Sequence, residues 1–312
     1  MFGRFLSGLG KALIVAGLLV LGFAGYQLWG TSLSESNAQA DLTNSLASGS
    51  AVTATDGNVK VEQLAEELSA VDATTAPPTA PPPLGDPVGI ITIPKIGLQR
   101  VIVEGVAKAE LKKGPGHYPG TPLPGQAGNS AIAGHRTTYG APFNRIDELV
   151  PGDEIKVATP QGEFTYLVIP APGQDSQAWY TVTPAQVEVL ANMGDNRITL
   201  TACHPKYSAK QRIIVHGLLK TPPAAAAPVA VAPVDEPVPD TASAQLDEGQ
   251  AGDSKALVTA LLFGAAAAAV ALLAWLLGKF MRTWPVYLLA TPAILVLIWY
   301  GYVYMDRYLP TL

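Results

Sequence analysis

The chain has 312 residues, a net charge of −5 and 14% charged residues. That length allows one domain of ordinary size plus accessory segments, and so sparse and acidic a charge balance excludes an electrostatic nucleic-acid binder. The apolar excess gathers at the two ends, where its density is that of membrane segments.

In chain order, Arg4 and Lys11 precede an uncharged apolar run over 12–29. At about 1.5 Å per residue it just crosses a hydrocarbon core of about 30 Å. The alternative is a cleaved signal peptide, because Ala38-Gln39-Ala40 resembles a cleavage site. That triplet lies far beyond the apolar run, so residues 1–30 are expected to be a cytoplasmic N-terminus and an uncleaved anchor. Residues 31–84 are rich in Ser, Ala, Thr and Asp and end in a proline run over 77–83. They are expected to be a largely disordered extracytoplasmic linker, stiffened by polyproline near the domain, with one short helix over 61–71.

The segment 85–220 is expected to bury a core. Short β-branched runs at 88–93, 98–103, 130–133, 153–159, 162–169, 198–203 and 211–219 read as strands separated by Pro and Gly turns. The stretch 114–125 is too dense in Gly and Pro for regular structure, and 184–193 fits one helical stretch. Many short strands make this an all-β domain, a small barrel or a sandwich. Residues 221–255 form a second linker, rich in Pro and Ala. Residues 256–305 read as a hairpin of two membrane spans, 256–277 and 284–304, the latter with a kink at Pro292, followed by a short tail over 306–312. Lys279 and Arg282 between these spans, with Arg4 and Lys11, put the N-terminus in the cytoplasm and the 85–220 domain on the outer side of the membrane.

Cys203 is the single cysteine of the chain, at the end of the 198–203 strand, and Arg212 opens the next strand nine residues later. A lone thiol cannot form an internal disulfide; it is an inert buried group or a nucleophile, and a fixed cation nearby favours the second reading. Burial and Arg212 act in opposite directions on such a thiol. A cysteine nucleophile needs a proton-transfer partner, for which imidazole is suited. His117, His135, His204 and His216 are all available. His135 ends a buried strand and opens a polar loop, whereas His204 should face away from its neighbour Cys203. The residue pattern alone leaves the choice open. Arg212 offers a forked donor array to a carbonyl oxygen that becomes anionic in acyl transfer. Asp147, Glu148, Asp153 and Glu154 flank a Pro-Gly turn without the ligand spacing of a calcium loop, so no metal site and no cofactor are expected.

Three segments, 93–98, 134–149 and 203–212, resemble those of the sortases, the membrane-anchored cysteine transpeptidases of bacterial surfaces, and in particular the class E group of actinobacteria. The resemblance covers about residues 86–220. It implies a closed β-barrel of about eight strands with short helices, Cys203 as nucleophile, His135 as general acid and base, and Arg212 as the oxyanion or substrate donor. It further implies a peptidase-class transfer: a sorting signal of the Leu-Ala-x-Thr-Gly or Leu-Pro-x-Thr-Gly kind at the C-terminus of a surface protein is cut between Thr and Gly. The acyl group then passes to an amine of a peptidoglycan precursor resembling lipid II. One departure is Ala202, where the family's motif usually has Thr before the cysteine. Other readings are a pilus-polymerising sortase joining pilins through Lys, a plain cysteine peptidase, and a non-catalytic membrane scaffold. Asp86-Pro87 lacks the aromatic residue of a pilus-type lid motif.

Overall fold

The computed structural model describes residues 2–49, 59–227, 253–280 and 283–309. The chain divides into two compact units, Met1–Trp29 with Ala251–Thr311, and Gly30–Gln250.

The second unit is organised by strands β1 (Pro87–Ile93), β2 (Leu98–Glu104), β3 (Gly116–His117), β4 (Asn129–Ala133), β5 (Glu154–Thr159), β6 (Gly162–Val168), β7 (Trp179–Val182), β8 (Arg197–His204) and β9 (Gln211–Leu219). They pair in the order β6-β5-β1-β2-β3-β4-β8-β9, and β6 pairs again with β9. This is the closed eight-stranded barrel that the resemblance implies, and it resolves the choice between barrel and sandwich that the strand pattern leaves open. The length of β9 makes closure possible: its residues 212–215 pair with β7 outside the ring, and 217–219 pair with β6. Inward side chains alternate along each strand. Ile198, Leu200 and Ala202 of β8, Ile213 and Val215 of β9, and Phe164, Tyr166 and Val168 of β6 share one core. Gly125 approaches this core with φ +92°, and a Cβ there would sit 2.3 Å from the Phe164 ring, so no larger residue fits.

The structure departs from the sequence pattern at several elements. Residues expected to be linker form helix α2 (Thr31–Gly49), and α3 (Val61–Ser69) fulfils the expected short helix. The buried stripe of α2 runs Thr31, Glu35, Gln39, Leu42, Thr43, Leu46 and Ala47. That spacing is helical, but its first half is polar, so hydrophobic periodicity does not reveal it. Leu42, Leu46, Leu64 and Leu68 pack on Ile90, Val101 and Val103, on the outer side of β1 and β2. Each fully buried leucine contributes roughly 1.5–3 kcal/mol. Gln39 completes the seam: Nε2 donates to the carbonyls of Val101 (3.0 Å) and Lys113 (2.8 Å), and Oε1 accepts from the Val101 amide (2.8 Å).

The proline run and the first residues after the barrel lie side by side. Gln161 Nε2 donates to the Pro77 and Ala225 carbonyls, Gln126 Nε2 donates to Thr79 O, and Thr79 pairs with Ala226 in parallel. The expected helix over 184–193 is reduced to a 3-10 turn, Val187–Leu190. Asn129 Nδ2 donates to the Val189 and Ala191 carbonyls, which ties this segment to the barrel and not into a helical ladder. A one-turn helix, α4 (Lys108–Leu111), precedes β3.

In the first unit, α1 (Phe2–Gly25), α5 (Ser254–Leu277) and α6 (Thr283–Tyr308) supply three stretches long and apolar enough to cross a membrane. Tyr302 Oη donates to the Leu19 carbonyl (2.8 Å), and Gln27 Nε2 donates to Asp306 Oδ1 (3.2 Å). α6 continues through Pro292 and on to Tyr308, past the expected start of a tail at 306. Arg282, and most of the 221–255 linker, lie outside the described residues.

Candidate active site

Strands β4, β8 and β9 are neighbours in the barrel, and each brings one of the three candidate residues to its outer side. Cys203 and Arg212 are direct partners in the antiparallel β8–β9 ladder. Side chains so paired share a face with Cβ atoms about 4.5–5.5 Å apart. β4 runs parallel to β8 with Ala133 opposite Thr201, and the Gly134 amide donates to Thr201 O (3.0 Å). His135 and Cys203 each follow the end of this ladder by two residues. All three are enclosed: Cys203 and His135 are 1% exposed and Arg212 2%. Arg212 Nη1 donates to the carbonyls of Ala209 (2.8 Å) and Gln211 (3.1 Å), which orients the guanidinium at the strand start.

The His135 loop has a demanding backbone. A Cβ on Gly134 would stand 2.6 Å from the Phe143 ring. Tyr139, Gly140 and Ala141 are all left-handed, with φ of 50°, 71° and 43°. Non-glycine residues in this region cost energy and persist only where their surroundings hold them. Here α2 does so. The Tyr139 amide donates to Thr31 Oγ1 (3.3 Å), the Glu35 carboxylate packs on Gly140, and Glu35 pairs with Arg100 (2.8 Å). Tyr139 sets its ring 5.3 Å from that of His135, with Lys112 Nζ 5.0 Å from the Tyr139 ring centre.

Two further residues belong to the site that the strand pattern does not point to. Tyr118, one residue past the two-residue β3, has its hydroxyl 3.0 Å from Thr201 Oγ1. Burial pushes its phenol up to about 12, against an opposing pull from Thr201 and Arg212, and Cys203 acts on it in the raising sense. Arg136 is 1% exposed and reaches across to Cys203 O and His204. With Tyr118, the apolar residues Ala131, Ala133, Val182, Val189, Leu190 and Ile214 form one cluster on this outer side.

The other histidines are engaged elsewhere. His117 Nδ1 pairs with Glu104 (2.7 Å) and its Nε2 lies 2.9 Å from Pro122 O. His216 shares the outer side of β9 with Arg212 but sits opposite Thr199, with Nδ1 2.9 Å from Thr199 Oγ1 and Nε2 2.8 Å from Tyr180 Oη. His204 follows Cys203 and turns to Trp179, ring centres 5.8 Å apart. Asp86-Pro87 leads straight into β1, with Asp86 O accepting from the Glu104 amide (2.8 Å). Asp147 pairs with Arg136 and Glu148 with Arg145.

The arrangement resembles known proteins over the barrel. A sortase-domain family model matches residues 91–220. Sortase SrtE1 of Streptomyces coelicolor is 33% identical over 224 residues, covering 67% of this chain and 55% of that protein. Sortase D of Bacillus subtilis is 29% identical over 210 residues, covering 66% and 94%. The chain thus spans about half the length of the first relative and nearly all of the second. Among solved structures, sortase E from Streptomyces avermitilis is 35% identical, with 45% of this chain and 91% of that one covered and a TM-score of 0.39. Sortase E1 from Streptomyces coelicolor, solved with a tripeptide in its active site, is 32% identical, with 45% and 91% covered and a TM-score of 0.40. The family model spans the segments that carry Cys203, His135 and Arg212, and the chain belongs to the sortase family.

Proposed function

We propose that this protein is a membrane-anchored transpeptidase in which Cys203 is the nucleophile, His135 the general acid and base, and Arg212 the donor to the developing oxyanion. The observation that carries the reading is the register: Cys203 is directly opposite Arg212 on β9, and the β4–β8 ladder ends at Ala133 and Thr201, two residues short of His135 and Cys203. The Cys203 thiolate attacks the carbonyl of a Thr–Gly bond. Arg212 donates to the oxygen as it becomes anionic, and protonated His135 gives its proton to the departing glycine amine. The remaining thioester is attacked by an acceptor amine, whose proton passes to His135 as the thiolate is expelled. An enclosed site limits attack by water, which favours transfer over hydrolysis.

The donor is a surface protein with a C-terminal signal of the Leu-Ala-x-Thr-Gly or Leu-Pro-x-Thr-Gly kind, and the acceptor is the amine of a peptidoglycan precursor resembling lipid II. The tripeptide held by the Streptomyces coelicolor enzyme supports a peptide substrate. Three spans anchor the chain, N-terminus in the cytoplasm and barrel outside, supported by the three apolar helices and by the basic residues near their ends. Retention of the first span is supported by Gln39, whose bonds to β2 would be lost by cleavage at Ala38-Gln39-Ala40. Tethering holds the enzyme near substrates confined to the same surface and raises their effective concentration.

The full chain in detergent micelles, given a Leu-Ala-x-Thr-Gly peptide and triglycine, is expected to release the glycine part and form the transfer product. Cys203→Ala is expected to abolish both. Full turnover by that variant would remove the proposal. Product formation without a response to added triglycine would replace transfer by hydrolysis.

A further inference from the structure

We infer that Arg136 is a positioning residue that holds the thiol-bearing end of β8 and the His135 loop in one geometry. The inference rests on the assignment of Cys203 and His135 given above. Arg136 is a cation at 1% exposure. A buried charge is retained only where partners repay its desolvation. Its partners come from two segments, the 144–147 loop and the end of β8. Nη2 pairs with Asp147 Oδ2 (2.8 Å), while Nη1 donates to Cys203 O (3.3 Å) and to His204 Nδ1 (2.8 Å). Its own carbonyl accepts from Asn144 Nδ2 (2.8 Å).

The location explains the need. The β4–β8 ladder ends at Ala133 and Thr201, with the Gly134 amide on Thr201 O. His135 and Cys203 lie just past that end, where backbone pairing no longer sets their separation. Arg136 extends the connection by side chain, from the residue beside the imidazole to the carbonyl of the thiol residue. The guanidinium fork suits this, because one rigid group serves Asp147 on one arm and β8 on the other. Accepting from Arg136 fixes His204 with its proton on Nε2 and its ring turned to Trp179, away from the thiol. Arg136 also adds a second permanent positive charge at the Cys203 residue, besides Arg212.

Two readouts separate positioning from general support. The chain has one cysteine, so iodoacetamide reports on Cys203 alone and needs no substrate. For Arg136→Met in the full chain, kcat is expected to fall about 100-fold with KM little changed, as misplacement by about 1 Å does. The midpoint of alkylation against pH is expected to move upward, because a permanent positive charge that favours the thiolate is removed. Arg136→Lys is expected to restore the alkylation midpoint, since it restores charge, but to recover kcat only in part, since it lacks the fork. Wild-type kcat and an unmoved alkylation profile in Arg136→Met would overturn the inference, as would full recovery of kcat in Arg136→Lys. If Arg136→Met does not fold, Asp147→Asn decides. It frees the far arm and keeps the bonds to β8, so a several-fold loss of kcat without loss of Tm supports positioning, and wild-type kcat rejects it. If the peptide assay fails for every form, the transpeptidase reading falls, while the alkylation profiles still answer for Arg136.

Discussion

The two sides of β8 impose different demands on the residues that occupy them. Inward, Ile198, Leu200 and Ala202 join the barrel core and need only volume and apolarity. Outward, Thr199 faces His216, Thr201 reaches Tyr118, and Cys203 faces Arg212. Each outward residue has a specific polar partner on another element. A substitution inward should therefore act through stability, and a substitution outward through chemistry. The contrast is sharp because only one peptide unit separates Ala202 from Cys203.

The largest departure from wild type is expected outward. Arg212→Gln keeps a polar side chain but removes the forked cation opposite Cys203. Loss of one donor to a developing oxyanion lowers kcat about 100- to 1000-fold. The bonds from Arg212 to Ala209 and Gln211 are lost as well, at about 1 kcal/mol each in stability. Steady-state kinetics beside a thermal melt checks both. A kcat within tenfold of wild type in a folded Arg212→Gln protein would remove the oxyanion role.

How far this contrast is legible in the sequence depends on the element. The alternation of β8 and β9 and the placement of Cys203 and Arg212 follow from strand periodicity, and the segments around His135 and Cys203 carry the family resemblance. Tyr118 is hidden because β3 is two residues long and lies inside a Gly- and Pro-rich stretch that promises no strand. β7 is hidden because it is four residues long, three of them only partly buried, and follows a polar loop. The bracing of Tyr139 by α2 is hidden because Thr31, Glu35 and Gln39 are polar where a core-facing stripe is expected to be apolar. Arg136 is hidden for another reason: nothing local signals that its side chain bonds a strand end 67 residues later.

A middle-sized effect tests the outward side away from the thiol. Tyr180 Oη, His216, Thr199 and Asn129 form a chain of hydrogen bonds that ends on the Val189 and Ala191 carbonyls. Thr199 Oγ1 donates to Asn129, so it accepts from His216 Nδ1, and the imidazole is neutral with Nε2 accepting from Tyr180. Burial, helped by the charge of Arg197 and opposed by Asp195, lowers His216 from 6.5 to about 4. Below pH 6.5 the unfolded chain binds a proton that the folded chain refuses. Stability is therefore lost as pH falls from about 6.5 to about 4, by up to roughly 3 kcal/mol at 1.36 kcal/mol per pH unit. His216→Gln removes that proton and is expected to flatten the fall. Melting both proteins from pH 7 to pH 4 isolates the difference, and parallel curves would show that His216 is not the acid-sensitive group.

The smallest effect is expected from restoring the family's usual residue before the cysteine. Ala202 is 2% exposed, pairs with Ile213, and points into the barrel, away from the thiol. A hydroxyl added there meets the apolar core and not a substrate, so Ala202→Thr cannot supply a donor to the reacting carbonyl. Its cost is that of one buried hydroxyl in a packed interior, about 1–2 kcal/mol. The expected result is a slightly lower Tm with kcat/KM within about twofold of wild type, a change of about 0.4 kcal/mol in barrier. A tenfold gain in kcat/KM would mean that the inward face reaches the chemistry after all, through the backbone of β8. The separation of roles between the two sides of the strand would then fail at the residue next to the thiol.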